Sequence, residues 1–309
     1  MKIFAPSYYK DFVCIADRCT HSCCIGWEID IDEKSAEKYA SFSREGYEKR
    51  VRDSIDFSAD TPCFKLSAND RCPHLNERNL CNIILELGES CLCDICREHP
   101  RFYHTTKLSR EVGVGMACEA ACELILKSDD YKDFIYVGES DDCSEYESED
   151  RFDPLICRQK LFDILSDPTL KYTEKLHKIY TVFRVQPLSS DKSKSLFSSL
   201  EYLDKSHQEL FSCYSSSTFL PDNAEKLLER ALAYFVFRHC SDAYNEDEFR
   251  MSLFFALTCE RLFSSLLSTK DGFSLADAVT FGRIISEELE YSEDNTDTIK
   301  FYFLTNTVQ

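Results

Sequence analysis

Twelve of the 17 cysteines lie in the first 122 residues, and they lie in groups. Cys14, Cys19, Cys23 and Cys24 come first, followed by Cys63, Cys72 and Cys81. Cys91, Cys93 and Cys96 form a third group, and Cys118 and Cys122 a fourth. Thiols grouped this way act together, either as disulfides or as ligands of a metal. In a reducing compartment ligation is the commoner outcome, and an odd total fits a fully paired disulfide framework poorly. Thiolates bind zinc or iron–sulfur clusters, and either centre usually takes four ligands.

Spacing narrows the choice without closing it. Cys14-x4-Cys19-x3-Cys23-Cys24 is followed by Cys72-x8-Cys81 and then Cys96. Adjacent Cys23 and Cys24 cannot both face one metal unless the backbone turns sharply, so one can bind while the other packs. Cys72-Pro73 places a rigid, donor-free turn after a thiol. A zinc knuckle would want two C-x2-C pairs; only Cys93-x2-Cys96 has that form, which moves zinc behind iron–sulfur. Radical S-adenosylmethionine chemistry needs C-x3-C-x2-C. The two candidates for it end on Gly26 and Ile125 instead of cysteine, which excludes that class. Cys157, Cys213, Cys240 and Cys259 stand alone within apolar stripes and read as core packing. Cys63, Cys91, Cys93, Cys122 and Cys143 read as packing or spectator thiols.

The elements that must position these thiols are short. Trp27 to Ile31 alternates like a strand, and Asp32 caps a polar helix over 33–52. A loop over 53–71 leads to a short helix over 80–87, closed by Gly88. Leu108 to Val114 reads as a strand and Met116 to Lys127 as a helix. Asp141 to Asp150 is acidic and aperiodic, a linker or surface loop. Beyond it the apolar period turns helical: Leu155, Ile156, Leu161, Phe162 and Leu165 form one stripe, and Leu176, Ile179, Tyr180 and Phe183 another. Further amphipathic stretches cover about 193–213, 222–240, 246–267, 274–290 and 295–304. The expected fold is mainly α. An irregular cysteine-rich, metal-binding domain with short strands spans residues 1–140, and an α-helical bundle spans residues 151–309.

Composition excludes some functions. The 309 residues carry a net charge of −19, with a pI near 4.8. Such a surface repels phosphate backbones and argues against nucleic acid, but it suits a lysine-rich protein partner. The N-terminal stretch lacks an apolar segment of signal-peptide type. The longest uninterrupted apolar runs fall well short of the roughly 20 residues that cross a bilayer. The expectation is a cytoplasmic protein that does not enter the membrane.

Several motifs in one order carry a resemblance. Phe12-Val13-Cys14, Cys19-x3-Cys23-Cys24-x2-Trp27, Cys72-Pro73-x-Leu75 and Cys81-x-Ile83 are the first of these. Gly88-Glu89, Cys96-x3-Pro100-Arg101 and Cys118-Glu119-x-Ala121 complete them. Over about residues 8–125 the chain resembles the flagellin lysine-N-methylase family, whose N-terminal half is similar to a wider group of zinc- or iron-chelating proteins. The resemblance implies a bacterial cytosolic enzyme that moves a methyl group from S-adenosylmethionine to surface lysines of flagellin, the protein of the bacterial flagellum. It also implies an iron–sulfur cluster, of [4Fe-4S] type, with zinc as the alternative. Carried over residue by residue, the ligand candidates are Cys19, Cys23, Cys24, Cys72, Cys81 and Cys96, with Cys14 and Cys118 further out. That is more than one cluster needs. His74 and His99 depart from the family pattern, where a large apolar residue and an aromatic are usual; both read as polar loop residues. Cys91 and Cys93 are extra thiols beside Cys96.

The implied chemistry is displacement at a sulfonium methyl. The attacking lysine must be neutral although its free pKa is about 10.4, so a desolvating pocket or a nearby base is required. Gly113-Val114-Gly115 is the one G-x-G turn, and it lacks the doubly wound pattern of a nucleotide site. Any of the 16 tyrosines with an acidic neighbour could serve as base, and the sequence does not select among them. The alternative function is a non-catalytic iron- or zinc-binding protein, a reading the thiol spacing supports by itself.

Overall fold

A computed structural model describes residues 1–106, 109–140, 152–217, 220 and 223–307. The acidic stretch 141–150, together with Cys143 inside it, lies outside the described residues. Among the described residues the chain is mainly α, with 13 α-helices and small sheets. It divides into two units: Val13–Arg101, and Met1–Phe12 joined with Phe102–Gln309.

The unit Val13–Arg101 is built from short pieces. The helix expected over 33–52 is two helices, α1 (Glu33–Ala40) and α2 (Gly46–Asp53). The break falls at residues 41–45, where serines end the first helix and Gly46 takes φ 63°, a left-handed value that glycine adopts freely. The α1 cap is as expected: the Asp32 carboxylate accepts from Ser35 N–H at 2.8 Å. α3 (Asn82–Leu87) is closed by Gly88 at φ 88°. α4 (Asp94–Glu98) starts at Cys93. The same Asp32 accepts from Asp94 N–H at 2.9 Å, tying the starts of α1 and α4 together. The strand expected over 27–31 reduces to an isolated bridge of Asp30 with Cys63, and ahead of it Ile25 bridges Arg71. A two-stranded ladder forms instead between Ile55–Asp56 and Cys63–Phe64. The core joins Ile29, Ile31, Tyr39, Val51, Ile55, Phe64 and Ile83 with Cys72 and Cys93.

The larger unit carries a four-stranded sheet. Its strand order is Arg101–Thr105, Arg110–Val114, Lys2–Pro6, Phe134–Glu139. The strand Lys2–Pro6 runs parallel to Arg110–Val114 and antiparallel to Phe134–Glu139. This pairing draws residues 1–12 and 102–140 into the helical unit. The chain therefore does not divide at residue 140 as expected from composition.

The rest is helical. α5 (Glu119–Lys127), α6 (Pro154–Leu165) and α7 (Tyr172–Phe183) follow the expected stripes. The stretch 193–213 is two helices, α8 (Ser190–Ser198) and α9 (Lys205–Phe211). α10 (Glu225–Cys240) and α11 (Glu246–Ser268) form the centre of the core. α12 (Leu275–Ile285) runs into a π-turn over Ser286–Glu290, and α13 (Glu293–Thr307) ends the described chain. Cys240 and Cys259 are buried in this core and Cys157 and Cys213 pack against it.

By length and composition α11 could cross a membrane, although its apolar residues are interrupted by polar ones. Its most apolar stretch is 89% buried within the protein, as in a core helix, and it holds the buried ion pair of Glu260 with Arg261. A second buried pair pins α6 to the sheet: Arg158 forks onto Glu111 at 2.6 and 2.8 Å. Two parallel charge-assisted bonds are the arrangement that best offsets the cost of burying both ions.

Candidate metal centre

Six thiols belong to or pack on the core of the unit Val13–Arg101: Cys24, Cys72, Cys81, Cys91, Cys93 and Cys96. Five of them, all but Cys91, also act on one another electrostatically. Long-range backbone contacts place them. Cys72 N–H donates to the Cys24 carbonyl at 2.8 Å, and Leu75 bridges Cys81. Cys81 and Cys93 each sit at the residue before a short helix, where N–H groups lack helical partners.

Those N–H groups are turned onto sulfur. Burial raises the Cys72 thiol to about 12, while the N–H groups of His74 and Leu75 act in the opposite direction. Burial also raises Cys81, partly offset by the N–H groups of Ile84 and Ile83. A hydrogen bond from the Cys96 thiol lowers Cys93 despite its burial, with help from Cys96 N–H, while Cys96 is pushed up by Cys93. A hydrogen bond with Cys23 lowers Cys24 to about 7. Charge repulsion links the group: Cys24 raises Cys72, Cys81 and Cys96, and Cys72 also raises Cys96. Neighbouring sulfurs that cannot all ionise without a cation are the electrostatic condition a soft metal ion relieves.

The donor set suits zinc or an iron–sulfur cluster in its chemistry, being sulfur throughout with N–H groups directed at it. The grouping is one of neighbouring thiols, however, and not of a closed coordination shell. Among the described residues no three His, Cys, Asp or Glu side chains are set closely enough to hold a metal ion. No disulfide joins the described cysteines.

The other candidates fall elsewhere. Cys23 is exposed and reaches the group through Cys24. The Cys19 thiol donates to the His21 carbonyl at 3.0 Å. Cys14 is exposed. Cys118 belongs to the larger unit, where it packs against the helical core. Cys93, read from sequence as a spectator, is a full member of the group. Its signal was the C-x2-C spacing with Cys96.

His74 is a buried residue and not a polar loop residue, at 2% exposure. Its Nδ1 lies 3.0 Å from the Tyr47 hydroxyl and its Nε2 2.8 Å from Ser54 Oγ. Burial lowers its pKa to about 4, with the Arg50 charge adding to the effect. Both ring nitrogens are engaged, so His74 braces the turn after Cys72. Gly113 also has a packing role: a Cβ there would meet the Phe102 ring at 2.3 Å and the Phe237 ring at 2.6 Å.

Tyrosines with acidic neighbours do occur. Tyr234 donates to Glu290 at 2.9 Å and Tyr131 to Glu229 at 3.0 Å. Burial raises both hydroxyls well above their ordinary range. They donate at neutral pH and do not mark a base.

Fold and site define a mainly α-helical protein of two units, one of them organised around buried and half-buried, mutually repelling thiols. Comparison with known proteins finds the flagellar biosynthetic protein FliU of Salmonella muenchen. The two are 29% identical over 130 residues, which cover 40% of this chain and 77% of that protein. The lysine-N-methylases of Salmonella choleraesuis and Salmonella typhimurium are likewise 29% identical over 130 residues. The expected relationship to lysine-N-methylases thus appears in sequence comparison. The match spans about a third, 32%, of the length of those two proteins. No family model and no solved structure matches the chain.

Proposed function

We propose that this protein is a lysine N-methyltransferase acting on flagellin, with S-adenosylmethionine as donor and a thiolate-held iron–sulfur cluster in the unit Val13–Arg101. The observation that carries the reading is the gathering of Cys24, Cys72, Cys81, Cys93 and Cys96 in one core, in a chain similar to proteins named lysine-N-methylase. Cys24, Cys72, Cys81 and Cys96 would hold the cluster, with Cys93 as a fifth thiol able to replace one of them. Bound by these thiols, a cluster would cross-link this small core and neutralise the repelling sulfurs. The amine lone pair is already a nucleophile, so methyl transfer needs no redox step. The protein's task is to hold a neutral lysine in line with the sulfonium methyl, and positioning of that kind contributes several kcal/mol.

The test is methyl transfer from isotopically labelled S-adenosylmethionine to purified flagellin. Mass spectrometry of flagellin peptides reads the product. The expected result is one labelled methyl group on modified lysines, at a level that falls with chelated protein. Absence of label with metal-replete protein that binds the donor would remove the reading.

The membership of Cys93 favours a second reading more than its spacing alone did. With Cys96 it forms a C-x2-C pair at a helix start, a familiar half of a zinc site. Metal analysis and visible absorbance separate the two: a colourless protein with one zinc per chain supports a non-catalytic or structural zinc protein.

A further inference from the structure

In the larger unit α8 and α13 enclose a groove of about 690 Å³. Leu196, Phe301 and Tyr302 give it an apolar wall, and Glu201, Asp294 and Asp297 line it with carboxylates. No lysine, arginine or histidine lines it. None of the three carboxylates makes an ion pair among the described residues. Asp294 alone would be an ordinary acid in the first turn of α13, with Asp297 one turn further along the same helix. Glu201 comes from a different segment, and the Phe301 ring is 57% exposed on a helix whose Ile299 and Phe303 already fill the core.

The groove is preformed. Asn295 is 2% exposed and clamps its two sides, accepting from Glu201 N–H at 2.9 Å and donating to the Glu201 carbonyl at 2.7 Å. Tyr302 is stacked on Phe254 with an interplanar angle of 16°. An apolar wall beneath a rim of uncompensated carboxylates matches a side chain with an apolar stem and a cationic head. Lysine and arginine are such side chains, and the proposed activity selects lysine: its methylenes would lie on aromatic rings while its ammonium reaches acid.

We propose that this groove receives an extended, lysine-bearing segment of a partner protein. The proposal rests on the reading above for the identity of that partner, and it supplies the surface through which the substrate is held. Its charge component weakens with salt, as exposed ion pairs do.

The test uses the full chain and a synthetic peptide alternating lysine and serine, with its Nε-acetylated form as the uncharged probe. Calorimetry should give binding of the charged peptide only. Neutralising the groove with E201Q, D294N and D297N together should weaken it roughly tenfold. F301A should weaken it about two- to fivefold. A control that neutralises exposed acids elsewhere, E225Q, E246Q and D271N, should change it less than twofold. All these positions are exposed, so the variants fold, and circular dichroism verifies it. No binding by the wild type, equal binding of the acetylated peptide, or equal loss in the control would overturn the groove. Peptide binding without methyl transfer keeps the groove and removes the methylase reading. Methyl transfer with unchanged affinity in the groove variant does the reverse.

Discussion

The backbone N–H of Cys72 donates to the carbonyl of Cys24 at 2.8 Å. One hydrogen bond thus fastens the first cysteine group to the second and brings two thiols that are remote in sequence into one core. Around it the N–H groups of His74 and Leu75 face the Cys72 sulfur. On the proposed reading, breaking this arrangement should affect metal binding and fold together, because site and fold are coupled.

C72S should remove both. Substitution of a buried member of the group should abolish bound metal and unfold the unit, since thiolate sites of this kind contribute on the order of 10 kcal/mol of folding energy. C14S, at an exposed thiol outside the group, should leave metal content unchanged. Metal analysis and circular dichroism of the two variants decide the matter. Equal metal loss in both would discard the assignment.

H74A should destabilise the same unit by about 2–4 kcal/mol. The loss combines a cavity with two hydroxyls, Tyr47 and Ser54, deprived of their partner. Urea denaturation measures it. A change below about 0.5 kcal/mol would mean that the ring carries no structural role.

In the larger unit, R158M should cost about 3–5 kcal/mol, because Glu111 is left charged and buried. Replacing both partners, E111L with R158M, should cost less than R158M alone, since no orphaned ion remains. Denaturation midpoints of the two variants test this. The opposite order would show that Arg158 acts through its packing on Phe134, Phe162 and Phe237 and not through the ion pair.

Acid should destabilise the larger unit. Burial lowers His239 to about 4. Between the unfolded value near 6.5 and that point, the unfolded chain takes up a proton the folded one refuses, so stability falls as pH falls. The slope is about 1.4 kcal/mol per pH unit, approaching roughly 3 kcal/mol at the end of that window. Glu290 acts in the same sense. Burial alone would raise it, but Arg238 and His239 outweigh burial and hold it below its ordinary value. Its contribution is present above the unfolded pKa and lost on acidification. Urea midpoints at about pH 7 and about pH 5 should differ, and H239Q should flatten the difference; a wild-type midpoint that rises towards pH 5 contradicts the assignment.

Local order was legible in the sequence. The amphipathic period located α5 to α7 and α10 to α13 because a helix closes its hydrogen bonds within a few residues and its stripe follows from 3.6 residues per turn. Asp32 announced its cap for the same reason. Helices broken by a few residues, as at 41–45 and between α8 and α9, look continuous in sequence, because the apolar period runs across the gap.

Only the tertiary structure decided the sheet, the division of the chain and the membership of the thiol group. The strand Lys2–Pro6 is short, and its partners stand at Arg110–Val114 and Phe134–Glu139; no local signal encodes pairing at that range. Cys93 and Cys19 look alike as neighbours in a cysteine-rich stretch. Cys93 starts a helix that Asp32 ties to the start of α1, whereas the Cys19 thiol donates to the nearby His21 carbonyl. Residue type and spacing thus set which groups could bind a metal, and the path of the backbone, stitched by hydrogen bonds between distant segments, set which of them meet.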